Sequence, residues 1–287
     1  MLSYQHAYHA GGPADLHKHA AMCVLMERLA EKPKPFAVVD LYAGHGVYGL
    51  GTDEAQKTKE FEGGIGRLWP KRGEVAPQAI SALFGAIAPL NPEGRLIYYP
   101  GSPAIARAFM REGDLLILNE LHPAAHTDLK RWARQDDRIT LHKRDGLEAL
   151  VGLMPPPVRR GLVVIDPSYE IKTEYAALPD ALRKAQRKWK EGTYLVWYPI
   201  LADGRHSELV KGLETGLAGG VIACELHFDA SKFAKDAPGL RGTGVIVVNP
   251  PWKFDVAMGA AGEWLAKTLT TTGRHTLRWL QRDANVA

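Results

Sequence analysis

Seven short apolar runs recur along the chain: Phe36 to Leu41, Leu115 to Leu118, Ile139 to Leu141, Leu162 to Ile165, Tyr194 to Tyr198, Val221 to Phe228 and Val245 to Val248. Each reads as a buried strand. Between them, Ala14 to Lys32, Ser102 to Arg111, Pro123 to Gln135, Glu174 to Lys190 and Ser207 to Leu217 carry apolar residues at helical spacing. This alternation predicts an α/β fold, a seven-stranded and mostly parallel sheet covered by helices on both faces. Proline and glycine mark the breaks, as in Asn91 to Gly94, Pro100-Gly101 and Pro155-Pro156-Pro157.

One interval breaks the rhythm. The stretch between Asp40 and Leu115 is about twice what a simple βαβ crossover needs. It holds an apolar helix candidate from Pro77 to Leu90 amid charge and glycine. The chain is therefore divided into a main domain, residues 1–50 and 100–287, and a small helical insertion, 51–99. Within the main domain, residues 1–32 form a helical segment expected to close the site.

An apolar fraction of 46% over 287 residues is enough to build a sizeable core. No run approaches the roughly 18 uninterrupted apolar residues of a membrane span, and Met1 to His6 lacks the order of a signal peptide. A cytoplasmic monomer is expected, without membrane contact. Cys23 and Cys224 have no partner at metal spacing and read as buried free thiols. Four histidines fall within the first nineteen residues, but His17 and His19 project to nearly opposite sides of a helix and cannot chelate together, so no metal is expected. Net charge is only +4, yet cations cluster at Arg159-Arg160 and at Arg183-Lys184, Arg187-Lys188 and Lys190, the last run a candidate surface for a polyanion.

The first strand ends in Asp40 and a glycine turn, Gly44-His45-Gly46, where doubly wound sheets bind nucleotides. Gly44, Gly46 and Gly49 satisfy the dinucleotide fingerprint, so a nicotinamide dehydrogenase must be weighed. That fingerprint wants an acid ending a strand ~20 positions on. The carboxylates near that offset, Glu60 and Glu62, follow no strand. Asp40 would also repel a pyrophosphate but welcome a cationic sulfonium carrying an amino-acid tail, which favours S-adenosyl-L-methionine. Further acids follow in order at later strand ends: Glu120, placed for ribose hydroxyls, Asp145 before Gly146, placed for an adenine amine, and then Asp166.

Asp166-Pro167-Ser168-Tyr169 looks like the Asp-Pro-Pro-Tyr loop by which amino-group methyltransferases grip a planar nitrogen. An exocyclic amine is a poor nucleophile, because its lone pair is delocalised. Acceptors aimed at its two hydrogens let the nitrogen turn pyramidal. Asp166 offers a carboxylate, Pro167 a fixed carbonyl, and Tyr169 a ring on which the base can stack. A near copy, Asn249-Pro250-Pro251-Trp252, fits the tetrapeptide better. Strand order favours Asp166: its strand follows the cofactor-acid strands and should lie beside the first, whereas the Asn249 strand comes last and is expected near the sheet's far edge.

Together these residues resemble, along nearly the whole chain, the bacterial 23S ribosomal RNA adenine-N6 methyltransferases of the J type. The resemblance is carried by Leu2-Ser3-Tyr4, His9-Ala10-Gly11, Ala14-Asp15 through Lys18-His19, and Asp40 with Ala43-Gly44. It continues through Tyr98 to Pro103, Glu120 to Pro123, Asp145-Gly146, Asp166-Pro167 with Tyr169, Leu195 to Pro199, and Asn249 to Lys253. It implies a class I, Rossmann-like methyltransferase fold with a helical insertion, S-adenosyl-L-methionine as donor and an adenine amine of 23S ribosomal RNA as acceptor. It also implies cofactor contacts at His19, Ser102, Glu120, Asp145, Gly146 and Asp166, and closure of the site by the N-terminal segment, with Tyr4 and Lys18 toward the substrate. Tyr42 stands where the family often has a histidine against the cofactor, and Ser168 where a second proline is usual. DNA adenine and protein-glutamine methyltransferases, and a non-catalytic RNA-binding protein, are the other readings of the same loop.

Overall fold

All four side chains of strand β1 (Ala37–Asp40) are buried, as expected of a strand covered on both faces. It follows helix α1 (Pro13–Ala30). The structure, a computed structural model, describes residues 5–228, 239–269 and 273–283; Tyr4 lies outside them. After β1 the chain leaves the main sheet through β2 (Val47–Gly49) and returns through β3 (Tyr98–Pro100), the two pairing as an antiparallel ribbon. Between them lie short α2 (Asp53–Thr58), α3 (Glu60–Gly63) and α4 (Ile65–Leu68), then α5 (Gln78–Ile87). Buried Ile80, Leu83, Phe84 and Ile87 of α5 share one core cluster with Leu16, Met22 and Leu25 of α1.

Regular alternation resumes with α6 (Ser102–Phe109), β4 (Leu115–Asn119), α7 (Pro123–Ala133), β5 (Ile139–His142), α8 (Gly146–Gly152), β6 (Gly161–Ile165), α9 (Glu174–Lys188) and β7 (Thr193–Leu201). The chain closes with α10 (His206–Leu213), β8 (Val221–His227), β9 (Leu240–Val248), α11 (Phe254–Leu269) and β10 (Arg274–Gln281). Among the described residues the sheet has eight strands, in the order β10-β8-β9-β7-β6-β1-β4-β5. Its parallel half is β5, β4, β1, β6 and β7, so the carboxyl ends of these strands share one edge. No helix among the described residues is long and apolar enough to cross a membrane.

Two sequence expectations are corrected. An eighth strand, β10, pairs antiparallel with β8 at the edge. Its sequence, Arg274 to Gln281, sets the exposed Arg274 and Arg278 among half-buried polar and apolar residues, so it shows no long apolar run; charged side chains are what an exposed sheet edge tolerates. The Asn249 strand, β9, is not at the far edge. It lies between β7 and β8, antiparallel to both, where its buried run Thr243 to Val248 is covered on both faces. The consequence is large, because β9 ends opposite the start of β7: Val248 pairs with Tyr194.

Helix α1 is buried from Leu16 through Met26, because it is packed between the sheet, α5, α6 and α11. A helix so surrounded needs no polar stripe, which is why its apolar pattern has little sidedness. The opposite face of the sheet is covered by α8, α9 and α10, with Leu178, Leu182 and Trp189 against Val163, Ile165 and Val196.

Candidate active site

The turns that follow β1, β4, β5 and β6 enclose a cavity of about 530 Å³ at the carboxyl edge. This is within the range that holds a cofactor-sized ligand. Of the residues singled out from sequence, Lys18, His19, Tyr42, Gly44, Ser102, Glu120, Asp145, Gly146 and Asp166 line it. Asp40 is fully buried just behind the wall. Pro167 is buried and Gly46 is set back; the Gly46 carbonyl accepts from the Gly101 amide at 2.8 Å, tying the glycine turn to the start of α6.

The glycine turn is built from the side chains around it. Glu120 Oε2 accepts from the Gly44 amide at 2.8 Å and its Oε1 from the His122 amide at 2.6 Å, so one carboxylate joins the loops after β1 and β4. Gly44 has φ +63°, and a Cβ there would stand 2.1 Å from the Tyr48 hydroxyl; only glycine fits. The Tyr42 ring lies over Gly146, where a Cβ would come within 2.2 Å of it. Asp145 Oδ1 caps α8 by accepting from the Leu147 and Glu148 amides at 2.9 and 3.1 Å. Glu60, the acid at the dehydrogenase offset, is buried in the insertion and bound to His9 Nδ1 at 2.8 Å, away from the cavity.

Lys18 is only 4% exposed and sits between two carboxylates, 2.5 Å from Asp166 Oδ2 and 2.9 Å from Asp15 Oδ1. Burial acts to lower its pKa, but Asp15 and Asp166 outweigh it and hold the ammonium well above its ordinary value. Asp15 is likewise buried, which acts to raise its pKa, yet His6 and Lys18 keep its carboxyl well below the usual range. Asp15 Oδ2 also binds His6 Nε2 and the Gly11 amide, both at 3.0 Å. This network fastens the segment before α1 over the cavity, where Gln5, His6 and Ala7 form part of the wall.

His19 Nδ1 binds the Tyr99 hydroxyl at 2.8 Å, and burial pushes its pKa down to about 3, so the ring is neutral. His17, on another side of α1, meets the His275 ring with centroids 5.5 Å apart. Among the described residues no group of three His, Cys, Asp or Glu is arranged to hold a metal ion.

Burial raises Asp40 to about 6, against the hydrogen bonds from Ser102 and the Tyr42 amide that favour its charge. A carboxyl raised in this way contributes stability that is fully present below its unfolded value and is lost as pH rises through about 6. The ligand-free protein should therefore lose part of its thermal midpoint as pH rises between about 4 and 6, and Asp40→Asn should remove that component. Identical pH profiles of unfolding for the two proteins would contradict the assignment.

Tyr169 takes an unexpected place. It has φ +54°, its ring stacks on Tyr175 with centroids 4.4 Å apart, and its hydroxyl donates to the Trp197 carbonyl at 2.6 Å. The ring is buried and does not line the cavity. Ser168 does line it. Asn249 emerges at the amino edge, across the sheet from the cavity, where its amide donates to the Glu191 and Gly192 carbonyls at 3.1 and 3.3 Å. The basic run at the end of α9 is at that edge too, since α9 leads from Glu174 in the cavity wall back to the start of β7.

Sequence reading assigned no role to Asp15, Tyr48 or Asn119, although Asp15 lies in a segment that carries the resemblance. Asn119 donates to the Leu41 and Arg144 carbonyls and accepts from the Arg144 amide, all at 3.0 Å, so it spaces three loops of the site. Its position one residue before Glu120, at the end of a buried strand, is the signal that was available.

The family described as ribosomal RNA large subunit methyltransferase D, RlmJ, matches residues 33–281. Ribosomal RNA large subunit methyltransferase J of Escherichia coli (strain K12) is 38% identical over 282 residues, covering 98% of this chain and 99% of that one. The protein of the same name from Haemophilus influenzae is 36% identical over 283 residues, with 98% and 99% covered. A crystal structure of a protein from Legionella pneumophila str. Philadelphia 1 superposes with a TM-score of 0.86 at 30% identity, covering 94% of this chain and 98% of that one. Matched end to end by these relatives and over most of its length by the family model, the chain belongs to the RlmJ family of ribosomal RNA large subunit methyltransferases.

Proposed function

We propose that the protein transfers a methyl group from S-adenosyl-L-methionine to the exocyclic N6 of an adenine in 23S ribosomal RNA. The observation that carries this is the placement of Asp166, which ends β6 beside β1 and opens into the cavity lined by Glu120 and Asp145. An acceptor for an amine and the acids suited to an adenosyl cofactor thus share one space.

The donor, when bound, supplies an electrophilic methyl group on a sulfonium. The residues fit it: His19 Nε2 and Asp40 Oδ2 are buried polar atoms without a hydrogen-bond partner, and Gly44 and Gly146 keep the wall clear of side chains. Glu120 is assigned to the ribose hydroxyls, Asp145 and Gly146 to the adenine end, and Asp40, Ser102 and His19 to the charged end, with Tyr42 and the Gly44-Gly46 turn closing the wall. Asp166 and the Pro167 carbonyl accept the hydrogens of the substrate amine, which frees its lone pair for attack; the proton leaves to Asp166 or water. Lys18 holds the Asp166 carboxylate in place. A base stacks on Tyr169 only after that ring leaves Tyr175, so its assigned contact with the base requires a rearrangement of the loop. The segment before α1 closes over the bound base, Tyr4 keeps the substrate role that the resemblance implies, and residues 51–99 form an insertion within the methyltransferase domain. The reading places the protein with ribosomal RNA in the cytoplasm, acting as a monomer.

With methyl-labelled donor, the label should enter adenine N6 of unmodified 23S ribosomal RNA. Transfer to duplex DNA or to a release factor, with none to the RNA, would replace this reading by the corresponding acceptor.

A further inference from the structure

The near copy that the cavity does not use has its own geometry. Asn249 and Lys253 both take left-handed backbone angles, φ +54° and +61°, a conformation that costs free energy at residues other than glycine. The loop between them is pinned at its root: the Asn249 amide donates to the Gly220 carbonyl at 2.8 Å, and the Thr193 hydroxyl donates to the Asn249 carbonyl at 3.0 Å. What this braced loop displays is Trp252, 70% exposed, with the Lys253 ammonium 4.1 Å from its ring centroid. A large aromatic held out into solvent on a strained loop serves neither core.

Next to Trp252 runs a groove of about 340 Å³ at the amino edge. Leu25, Leu29 and Leu162 give it an apolar floor, and Arg28, Lys32 and Arg160 a basic rim. Glu31, the acid in its lining, is paired with Arg28 at 2.5 Å. The cavity at the other edge has the opposite balance. Glu54, Glu120, Asp128, Asp145, Asp166 and Glu174 line it against Lys18 and Arg144. Such a wall suits a cationic cofactor but repels phosphates, so affinity for a polyanion must come from elsewhere on the molecule.

We propose that this amino edge is a second RNA contact, where a base of a single-stranded segment of the ribosomal RNA stacks on Trp252 and its phosphates lie against Arg28, Lys32 and Lys253. Stacking beside cations grips any base, so this contact supplies affinity rather than choice of adenine. The inference rests on ribosomal RNA being the substrate. β6 spans five residues, so the two edges are separated by roughly 17 Å of strand, a distance that an extended RNA running along the flank of the protein bridges.

Fluorescence anisotropy of the full chain with transcribed 23S ribosomal RNA tests it. Trp252→Ala should weaken binding roughly tenfold and Trp252→Phe should keep most of the affinity. Lys32→Glu should flatten the dependence of log affinity on log salt by about one unit. Trp252 and Lys32 are both at the surface, and unchanged melting curves will show that any loss is not unfolding. Equal affinity and salt slope for wild type and Trp252→Ala overturns the proposal. So does a shift in sedimentation of the RNA-free variant with RNA affinity unchanged, which would make the edge a contact between copies of the chain. Wild type that neither binds nor methylates the RNA overturns the substrate reading instead.

Discussion

Asp166→Ala should lower kcat for methyl transfer to ribosomal RNA by on the order of 10²–10³-fold, with a much smaller loss of cofactor affinity. The carboxylate is the side-chain acceptor of the Asp-Pro loop, and it stands in the cavity at the end of β6. Its contribution lies in the amine's transition state, so removing it acts on kcat more than on ground-state affinity. Asn249→Ala makes the informative contrast. There the amide holds the turn before β7 at 3.1 and 3.3 Å, and the backbone stays at φ +54°. Alanine should cost about 1–3 kcal/mol of stability, with kcat at saturating RNA within about twofold of wild type. Turnover by folded Asp166→Ala together with loss of turnover in folded Asn249→Ala would reverse the assignment.

Lys18→Met should destabilise the protein by about 3–5 kcal/mol and lower its melting midpoint by roughly 10 °C. The substitution removes the ammonium between Asp15 and Asp166 and leaves buried carboxylates facing each other. The pH dependence identifies the cause. Asp15 has its folded pKa held down, so its contribution is present above its unfolded value and is lost as pH falls through the depressed one. Without Lys18 that depression shrinks, and the midpoints of variant and wild type should converge as pH falls below about 4. A gap that stays constant into acid would mean that Lys18 acts through packing of its alkyl stem.

The acids of the site were legible because each ends an apolar run. Asp40, Glu120 and Asp166 follow strands whose burial is written in consecutive Val, Leu and Ile residues, and a parallel sheet brings such ends to one edge. Lys18 was singled out without its partners. Its pairing with Asp15 spans one helical turn and was within reach of the sequence, whereas Asp166 is 148 residues away. The polar edge strand β10 gave no apolar signal, and the ring of Tyr169 turned toward Tyr175 through a left-handed backbone that its sequence does not announce.

The two similar tetrapeptides end up at opposite edges of the sheet. The α/β alternation, the order of the acids along the chain and the presence of two Asx-Pro loops are readable from the chain, because burial and strand ends are local properties of composition. Which loop faces the cavity follows from how distant strands pair. β9 lies inside the sheet rather than at its edge, and it runs antiparallel between β7 and β8, which carries Asn249 to the amino edge and Trp252 into solvent. Strand direction is a property of pairing between distant segments, and an apolar run reads the same whichever way the strand is laid.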